Sequence, residues 1–313
     1  LAAALAEARK SLCIYTRPKD RSAFEAARTL VLEQPGKPIL RLPAPPLSDA
    51  LFDTNTRLVL IATKFSALDG LCDAMAQLPA SVTLVSTLNG VKALPLLRQR
   101  FPQHRVAGLT IMFNAQHLGP LHARLTTRPQ VIAGRDDTDL RELLAGTRLR
   151  VRHGASDAAT WGKLLINLSN ALGALTHSTF RDLLSQPDLR ACMVAVLDEA
   201  VDRLDAAGIP YALPMPLPYR GYRTLLRRGG PLAWWLARAN NGLDDGAYPS
   251  MVADVRSGRP TEVRQLNGEI AALGQRLDWP APRNQWLVEA VQAIRDPTRP
   301  AFTPAQLRAH LAA

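Results

Sequence analysis

Two short apolar runs, L58-V-L-I-A-T63 and V82-T-L-V-S-T-L88, decide the fold class of the first half of the chain. Both are rich in leucine and β-branched residues, and a helical stretch separates them. Similar runs lie on either side, at Leu12–Thr16, Val106–Phe113, Val131–Ala133 and Leu149–Arg152. Strands that alternate with helices in this way are typical of a parallel α/β sheet.

The first residues complete this prediction. Leu1–Ala8 reads as the end of an alanine-rich helix. In a dinucleotide-binding sheet, a first strand and a glycine-rich turn come before that helix. The predicted class is therefore α/β plus all-α: an N-terminal Rossmann-like parallel sheet, with the first strand and glycine turn missing from the sequence, followed by a helical C-terminal domain.

Strand signals disappear beyond about residue 155. A helix is predicted from Pro187 to just before Gly208, and another from near Thr261 to just before Pro280. The second helix repeats apolar residues at helical spacing: Val263, Leu266, Ile270, Leu273 and Leu277. We therefore divide the chain into a Rossmann-like domain, residues 1–153, and an all-helical domain, residues 154–313.

The charge of the chain favours an anionic partner. Its 313 residues contain 38 basic and 27 acidic side chains, which gives a net charge of +11. Nucleic acid, acidic lipid and a phosphorylated or carboxylated small molecule all satisfy this balance. Only six of the basic residues are lysines, at positions 10, 19, 37, 64, 92 and 163. A lysine among apolar neighbours is informative here, because lysine can lose its proton when desolvated and arginine effectively cannot.

Several classes of protein are excluded by pattern. No run of about 18 apolar residues predicts a membrane span, and the opening residues lack the pattern of a secretion signal. Cys13, Cys72 and Cys192 stand far apart, so neither a disulfide framework nor a metal site is predicted. We expect a cytoplasmic protein without metal or membrane attachment.

The segment W161-G-K-L-L-I-N-L-S-N170 carries the strongest chemical signal. On a helix Lys163, Asn167 and Asn170 fall at i, i+4 and i+7, so an amine and two amides share one face of an otherwise apolar helix. One interpretation is structural, with these groups bonded to helix ends of the neighbouring domain. The other is a cleft in which burial lowers the pKa of Lys163 until it can deliver a proton near neutral pH.

A second group lies in S250-M-V-A-D-V-R-S-G-R-P-T-E262. Ser250 and Asp254 share a helical face, and Glu262 falls in the first turn of the next helix, where the helix dipole favours its carboxylate. The structural alternative is ordinary helix-start chemistry, with Thr261 as the N-cap.

Three further positions follow predicted strands. Thr63-Lys64 and Asn89-Gly90 fall at the carboxyl edge of the sheet, where open α/β sheets bind ligands. Arg17 follows the run that ends at Thr16, where an acid selects the ribose of NAD and an arginine accommodates the 2′-phosphate of NADP. A common turn and a solvated basic loop are the alternatives.

Taken in order, these motifs resemble the ketopantoate reductase (2-dehydropantoate 2-reductase) family. The resemblance runs from about Leu1 to Ile294 and depends most on W-x-K-L-x-x-N followed by S-M-x-x-D-V-x-x-G-R-x-T-E and L-N-G268. The chain departs from the family pattern at Ala171, where the second asparagine comes one residue earlier as Asn170. It departs again at Ala247, where the family frequently has asparagine.

The resemblance implies NADPH-dependent reduction of a 2-oxo acid, 2-dehydropantoate or a related branched acid, to the 2-hydroxy acid. It implies that Lys163 is the general acid and that Glu262 lies beside it. The other implied contacts are Asn167, Asn170 and Ser250 with the substrate, and Arg17, Lys64, Asn89 and Gly90 with NADP(H). We expect a small-molecule substrate, no nucleic acid, no membrane and an architecture that allows a homodimer.

Two alternatives remain open at this stage. The first is a catalytically degenerate member of the family that binds a ligand without turnover. The second is a basic nucleic-acid-binding protein, suggested by the arginines and aromatics of Y219-R-G-Y-R-T-L-L-R-R-G-G and Trp234-Trp235. Such arginine-rich helices are, however, commonly solvated faces over a tryptophan-anchored core.

Overall fold

The computed structural model describes residues 1–135 and 137–312. It divides into two compact units: residues 1–88 with 93–156, and residues 89–92 with 157 onward. The four residues 89–92 lie between elements of the first unit in the sequence but belong to the second by their contacts.

The first unit alternates strands and helices. Its elements are α1 (Ala2–Glu7), α2 (Pro18–Ala26), β1 (Thr29–Glu33), β2 (Leu40–Pro43), β3 (Leu58–Ile61), α3 (Leu68–Ala74), β4 (Thr83–Ser86), α4 (Ala93–Arg100), β5 (Val106–Ile111), β6 (Ala115–Gly119), β7 (His122–Leu125), β8 (Gln130–Gly134), α5 (Thr138–Leu144) and β9 (Arg150–Gly154). A 3₁₀ turn, Phe65–Ala67, comes before α3.

Five of these strands form the predicted sheet, in the order β3-β4-β5-β8-β9. Helices pack on both faces of this sheet. Side chains alternate between the two faces along each strand. Leu84 on β4 packs in a cluster with residues of α3 and α4, whereas the next residue, Val85, packs with Leu140 and Leu144 of α5. The predicted α/β class is confirmed, but the sheet is not wholly parallel. β5 and β8 pair antiparallel, because no crossover helix joins them.

A second sheet, β2-β1-β7-β6, was not predicted. β1 pairs antiparallel with β2 and parallel with β7, which forms an antiparallel pair with β6. β6 is largely exposed, and β1 and β2 alternate buried or half-buried with more exposed residues. These strands therefore lack the continuous apolar runs that identified the first sheet.

The predicted strand at Leu12–Thr16 is wrong. Only Ile14 pairs there, in an isolated bridge with Leu47, through bonds from Ile14 N to Pro46 O and from Ser48 N to Ile14 O. The facing segment contains Pro43, Pro45 and Pro46, which have no backbone N–H to extend a ladder. Arg17 consequently follows a loop and not a strand.

Within its described residues the second unit is built from helices, as predicted. They are α6 (Ser156–Asn167, which begins on the last residue of the first unit), α7 (Ser169–Thr176), α8 (Phe180–Ser185), α9 (Pro187–Ala206), α10 (Tyr219–Arg228), α11 (Pro231–Asn241), α12 (Ser250–Arg256), α13 (Asn267–Arg276), α14 (Pro282–Gln292) and α15 (Pro304–Leu311). None of the described helices combines the length and the apolarity needed to cross a bilayer.

α9 confirms the helix predicted between Pro187 and Gly208: Pro187 stands at its start and Gly208 follows it with φ +63°. The helix predicted from near Thr261 is divided. Val263–Gln265 forms a 3₁₀ turn, Leu266 leaves helical geometry with ψ −89°, and α13 begins only at Asn267. The apolar spacing continues through this break, and for that reason spacing alone could not locate it.

A buried carboxylate holds the centre of this unit together. Glu199 of α9, 3% exposed, accepts hydrogen bonds from the backbone N–H groups of Arg283 and Asn284 at 3.0 and 2.8 Å. These are orphan donors at the start of α14, where the helix dipole also favours a negative charge. Glu199 thus caps a helix that begins more than eighty residues later.

Replacing Glu199 with Ala should therefore lower the free energy of unfolding of this unit by about 2–4 kcal/mol, because it leaves buried donors without a partner. All five tryptophans lie at positions 161, 234, 235, 279 and 286, so urea unfolding followed by tryptophan fluorescence reports on this unit. The control is Glu289→Gln, an exposed carboxylate on α14 itself, for which less than about 0.5 kcal/mol is expected. Equal effects of the two changes would contradict the capping role.

Candidate active site

Lys163 lies on α6, close to a point where the backbone of another segment touches the helix. A Cβ on the preceding residue, Gly162, would lie 1.8 Å from the carbonyl oxygen of Ala212. The segment is also held by a hydrogen bond from Ala212 N to Ala158 O at 2.8 Å. Glycine at position 162 is therefore required by close packing, and this packing covers the helix beside the lysine.

Lys163 and Asn167 are half-buried on α6, whereas Asn170 is 5% exposed on α7. The two helices are nearly continuous, because Leu168 keeps helical dihedral angles and donates to Leu164 O at 3.0 Å. The predicted spacing of the three polar residues is thus realised on two successive helices.

Burial changes the acidity of the lysine. Loss of hydration lowers the pKa of the Lys163 amine to about 8, and attraction to the Glu262 carboxylate opposes this effect. The balance leaves an amine that is mainly protonated at neutral pH but can release its proton.

Glu262 stands at the start of the 3₁₀ turn Val263–Gln265, half-buried. The amide Nδ2 of Asn89 donates to Glu262 Oε2 at 3.0 Å. The next residue, Gly90, has φ +82°, and a Cβ there would lie 2.7 Å from the carbonyl oxygen of Gln265. The structure therefore brings Lys163, Glu262, Asn89 and Gly90 together within one unit.

Asn267 has a structural role that the sequence did not reveal. It is fully buried at the start of α13, and its Nδ2 donates to Asn284 Oδ1 at 3.0 Å and to Leu168 O at 3.4 Å. It thereby links the segment of Glu262 to the junction just beyond Lys163 and Asn167. Its position in the L-N-G268 motif indicated that Asn267 matters, but the sequence did not predict which residues it contacts.

Ser250 is the exposed first residue of α12. The preceding residue, Pro249, packs close to Gly173 of α7, where a Cβ would lie 2.9 Å from the Pro249 ring. Asp254, predicted on the same face as Ser250, forms an ion pair with Arg259 at 3.1 Å. The described contacts do not join Ser250 to Lys163.

The remaining predicted positions lie in the first unit. Lys64 is exposed and immediately precedes the 3₁₀ turn after β3. The end of β3 is fixed to the exit of β4, because the backbone N–H and the hydroxyl of Thr87 both donate to Ile61 O, at 3.1 and 2.9 Å. Arg17 is the N-cap residue of α2, and its guanidinium pairs with Asp20 at 2.7 Å while its side chain stays 63% exposed.

Two family models match the chain: "Ketopantoate reductase PanE/ApbA" over residues 1–137, and "Ketopantoate reductase PanE/ApbA C terminal" over residues 156–295. Together they cover most of the sequence. The chain belongs to the ketopantoate reductase family. The predicted family is thereby confirmed, and this is a family of oxidoreductases that act on CH–OH groups.

Solved structures of other proteins share this fold. A PanE/ApbA family ketopantoate reductase from Ralstonia eutropha JMP134 superposes with a TM-score of 0.73 at 25% identity, over 92% of each chain. D-mandelate dehydrogenase with NADH and anilino(oxo)acetate superposes at 0.74, with 16% identity over 93% of this chain and 92% of the other. The second likeness shows the fold alone.

A curated 2-dehydropantoate 2-reductase from Aquifex aeolicus (strain VF5) is 29% identical over 134 residues. That match covers 42% of this chain and 38% of the relative's length.

The lowered pKa of Lys163 gives a direct test that needs no substrate. With lysine labelled at 13Cε, one resonance should titrate with a midpoint near pH 8 and disappear in Lys163→Arg. In Glu262→Gln the midpoint should fall, because the attraction that raises the pKa is removed while the desolvation remains. A midpoint near 10.4, the ordinary lysine value, would show that the amine is hydrated.

Proposed function

We propose that the chain reduces a 2-oxo acid to the corresponding 2-hydroxy acid with NADPH, and that Lys163 is the general acid. The observation that carries this proposal is a half-buried lysine, its pKa near 8, beside a carboxylate that is itself held by Asn89. Family membership supports the reaction class. The preferred substrate is 2-dehydropantoate or a related branched 2-oxo acid.

Lys163 does two things in this reaction. Addition of hydride to the ketone carbon leaves negative charge on the oxygen, and an ammonium beside it stabilises that charge. The same ammonium then transfers its proton to the oxygen and completes the hydroxyl group. A pKa near 8 suits this step, because the acid is mainly protonated at neutral pH and yet releases its proton readily.

Glu262 keeps the lysine charged. Without its attraction, desolvation would lower the pKa of Lys163 further and reduce the protonated fraction at neutral pH. Asn89 holds one oxygen of this carboxylate and so fixes its direction. In this proposal Asn167, Asn170 and Ser250 bind the substrate through their amide and hydroxyl groups.

The predicted cofactor contacts suit a phosphorylated dinucleotide. NADPH supplies the hydride when bound. The exposed guanidinium of Arg17 at the N-terminus of α2 suits a 2′-phosphate, because an arginine and a helix N-terminus both attract an anion. Lys64 at the carboxyl end of β3, with Asn89 and Gly90, would hold the remainder. We propose that this chain prefers NADP over NAD. D-mandelate dehydrogenase, which has a similar fold, was solved with NADH.

We also propose that the protein acts on a small-molecule substrate, is cytoplasmic and forms a homodimer. A ketopantoate reductase from Staphylococcus aureus with a similar fold is described as dimeric. A panel of branched 2-oxo acids, screened for NADPH consumption, tests the function itself. Binding of NADPH without oxidation by any member of the panel would favour a ligand-binding protein that has lost turnover.

Lys163→Ala should lower kcat by about 100-fold or more, because the group that protonates the oxygen is lost, while the Kd for NADPH stays close to that of the wild type. Lys163→Arg is the matched variant. It keeps the positive charge but cannot release a proton, so it should also be strongly impaired. Steady-state kinetics and NADPH fluorescence titration measure the two quantities. Near-normal turnover in either variant would exclude Lys163 as the acid.

Arg17→Ala should raise KM for NADPH by about 10- to 100-fold, since a charge-assisted contact to phosphate is worth about 1.5–3 kcal/mol. KM for NADH, which has no 2′-phosphate, should change little. The control is Arg21→Ala on the same helix, which loses pairs with Glu25 and Asp49 instead. Equal effects of Arg17→Ala on the two cofactors would rule out contact with the 2′-phosphate.

A further inference from the structure

The turn Asn89–Lys92 uses all four of its residues to contact the helical unit. Asn89 donates to Glu262, and Gly90 approaches the Gln265 carbonyl so closely that a side chain could not fit. Val91 packs on the apolar core of the helical unit, and Lys92 Nζ lies 2.7 Å from Glu269 Oε1. Each contact is made to a residue or cluster of that unit, which explains why the turn belongs to it.

The two side chains of the ion pair at the end of this turn differ greatly in burial. The Glu269 side chain is only 5% exposed, whereas that of Lys92 is 55% exposed. A carboxylate so far from water needs a partner. Glu269 lies in the first turn of α13, where the helix dipole contributes, and Lys92 supplies the opposite charge. The cation reaches in from the surface to a fixed, buried anion.

We propose that Lys92 and Glu269 are positioning residues, whose ion pair anchors the turn Asn89–Lys92 on α13 and so holds the Asn89 amide against the carboxylate of Glu262. Only two residues separate Asn89 from Lys92, and one of them, Gly90, touches the segment that joins Glu262 to α13. The anchor at position 92 therefore limits the movement of the amide at position 89.

This inference rests on the proposed function for its catalytic meaning, but its test does not need turnover. If the turn loosens, Glu262 loses the amide that directs it and turns towards water. Its attraction to Lys163 then weakens, so the pKa of Lys163 should fall. A residue that served only stability would reduce the folded fraction and leave this pKa unchanged.

The test variant is the double change Lys92→Met with Glu269→Gln, which removes the pair without altering the net charge. In 13Cε-lysine NMR of the full chain, the Lys163 midpoint should fall by roughly 0.5 relative to the wild type. Lys92→Arg, which keeps the pair, should restore the wild-type midpoint. If the wild type oxidises NADPH, the alkaline limb of its kcat/KM profile should move to lower pH by the same amount.

The matched control is Arg308→Met with Asp188→Asn. It removes another ion pair of the helical unit, at 2.8 Å, whose cation is 54% exposed, without touching the turn. It should lower the free energy of unfolding, followed by tryptophan fluorescence, by less than the test variant does, because the Asp188 side chain is 34% exposed and that of Glu269 only 5%, while the Lys163 midpoint stays at the wild-type value.

The path through Asn89 is tested by a third variant. Asn89→Ala should lower the Lys163 midpoint as the test variant does, and adding the two changes at positions 92 and 269 should lower it no further. An unchanged or raised midpoint in the folded test variant overturns the proposal, as does full additivity with Asn89→Ala. Absence of turnover with every 2-oxo acid would refute the proposed function and leave these NMR outcomes readable.

Discussion

The candidate site depends on one balance: an ammonium taken out of water and a single carboxylate that partly compensates for it. Burial lowers the pKa of Lys163, and Glu262 limits the fall to a value of about 8. With less burial the lysine would keep its proton more firmly, and without the carboxylate its pKa would fall further and its protonated fraction would drop. The position of Glu262 relative to α6 is therefore the constraint that the surrounding structure has to maintain.

Buried polar residues maintain it. Asn267 links the start of α13 to the carbonyl of Leu168, at the junction of α6 and α7, and to Asn284. Asn284 in turn donates to Glu199, which caps the start of α14. A chain of hydrogen bonds thus connects the segment after Glu262 with α6, α9 and α14 inside an apolar core. Such bonds have fixed directions, unlike apolar contacts, so they specify the relative placement of these elements.

The sequence predicted those features that depend on local pattern. Continuous apolar runs predicted the strands at positions 58–61 and 83–86, and proline and glycine marked the ends of α9. Prediction from the sequence failed where the structure of a segment depends on the segment that packs or pairs with it. Leu12–Thr16 has strand-forming residues, but the segment that faces it is rich in proline. The exposed strands of the second sheet carry no continuous apolar run, because one sheet face can be solvated.

The same limit applies to the candidate site. Spacing placed Lys163 and Asn167 on one helix, and the ordered motifs selected Glu262 and Asn89. The bond between Asn89 and Glu262 joins residues 173 positions apart, and no spacing rule predicts it. Lysine usage did hold a signal that we used only in part. Where a chain meets nearly every need for positive charge with arginine, each lysine raises the question of what arginine could not do there. At Lys163 the answer is release of a proton. Lys92 is a different case: its ammonium lies 2.7 Å from one buried oxygen of Glu269, and an arginine would keep that ion pair.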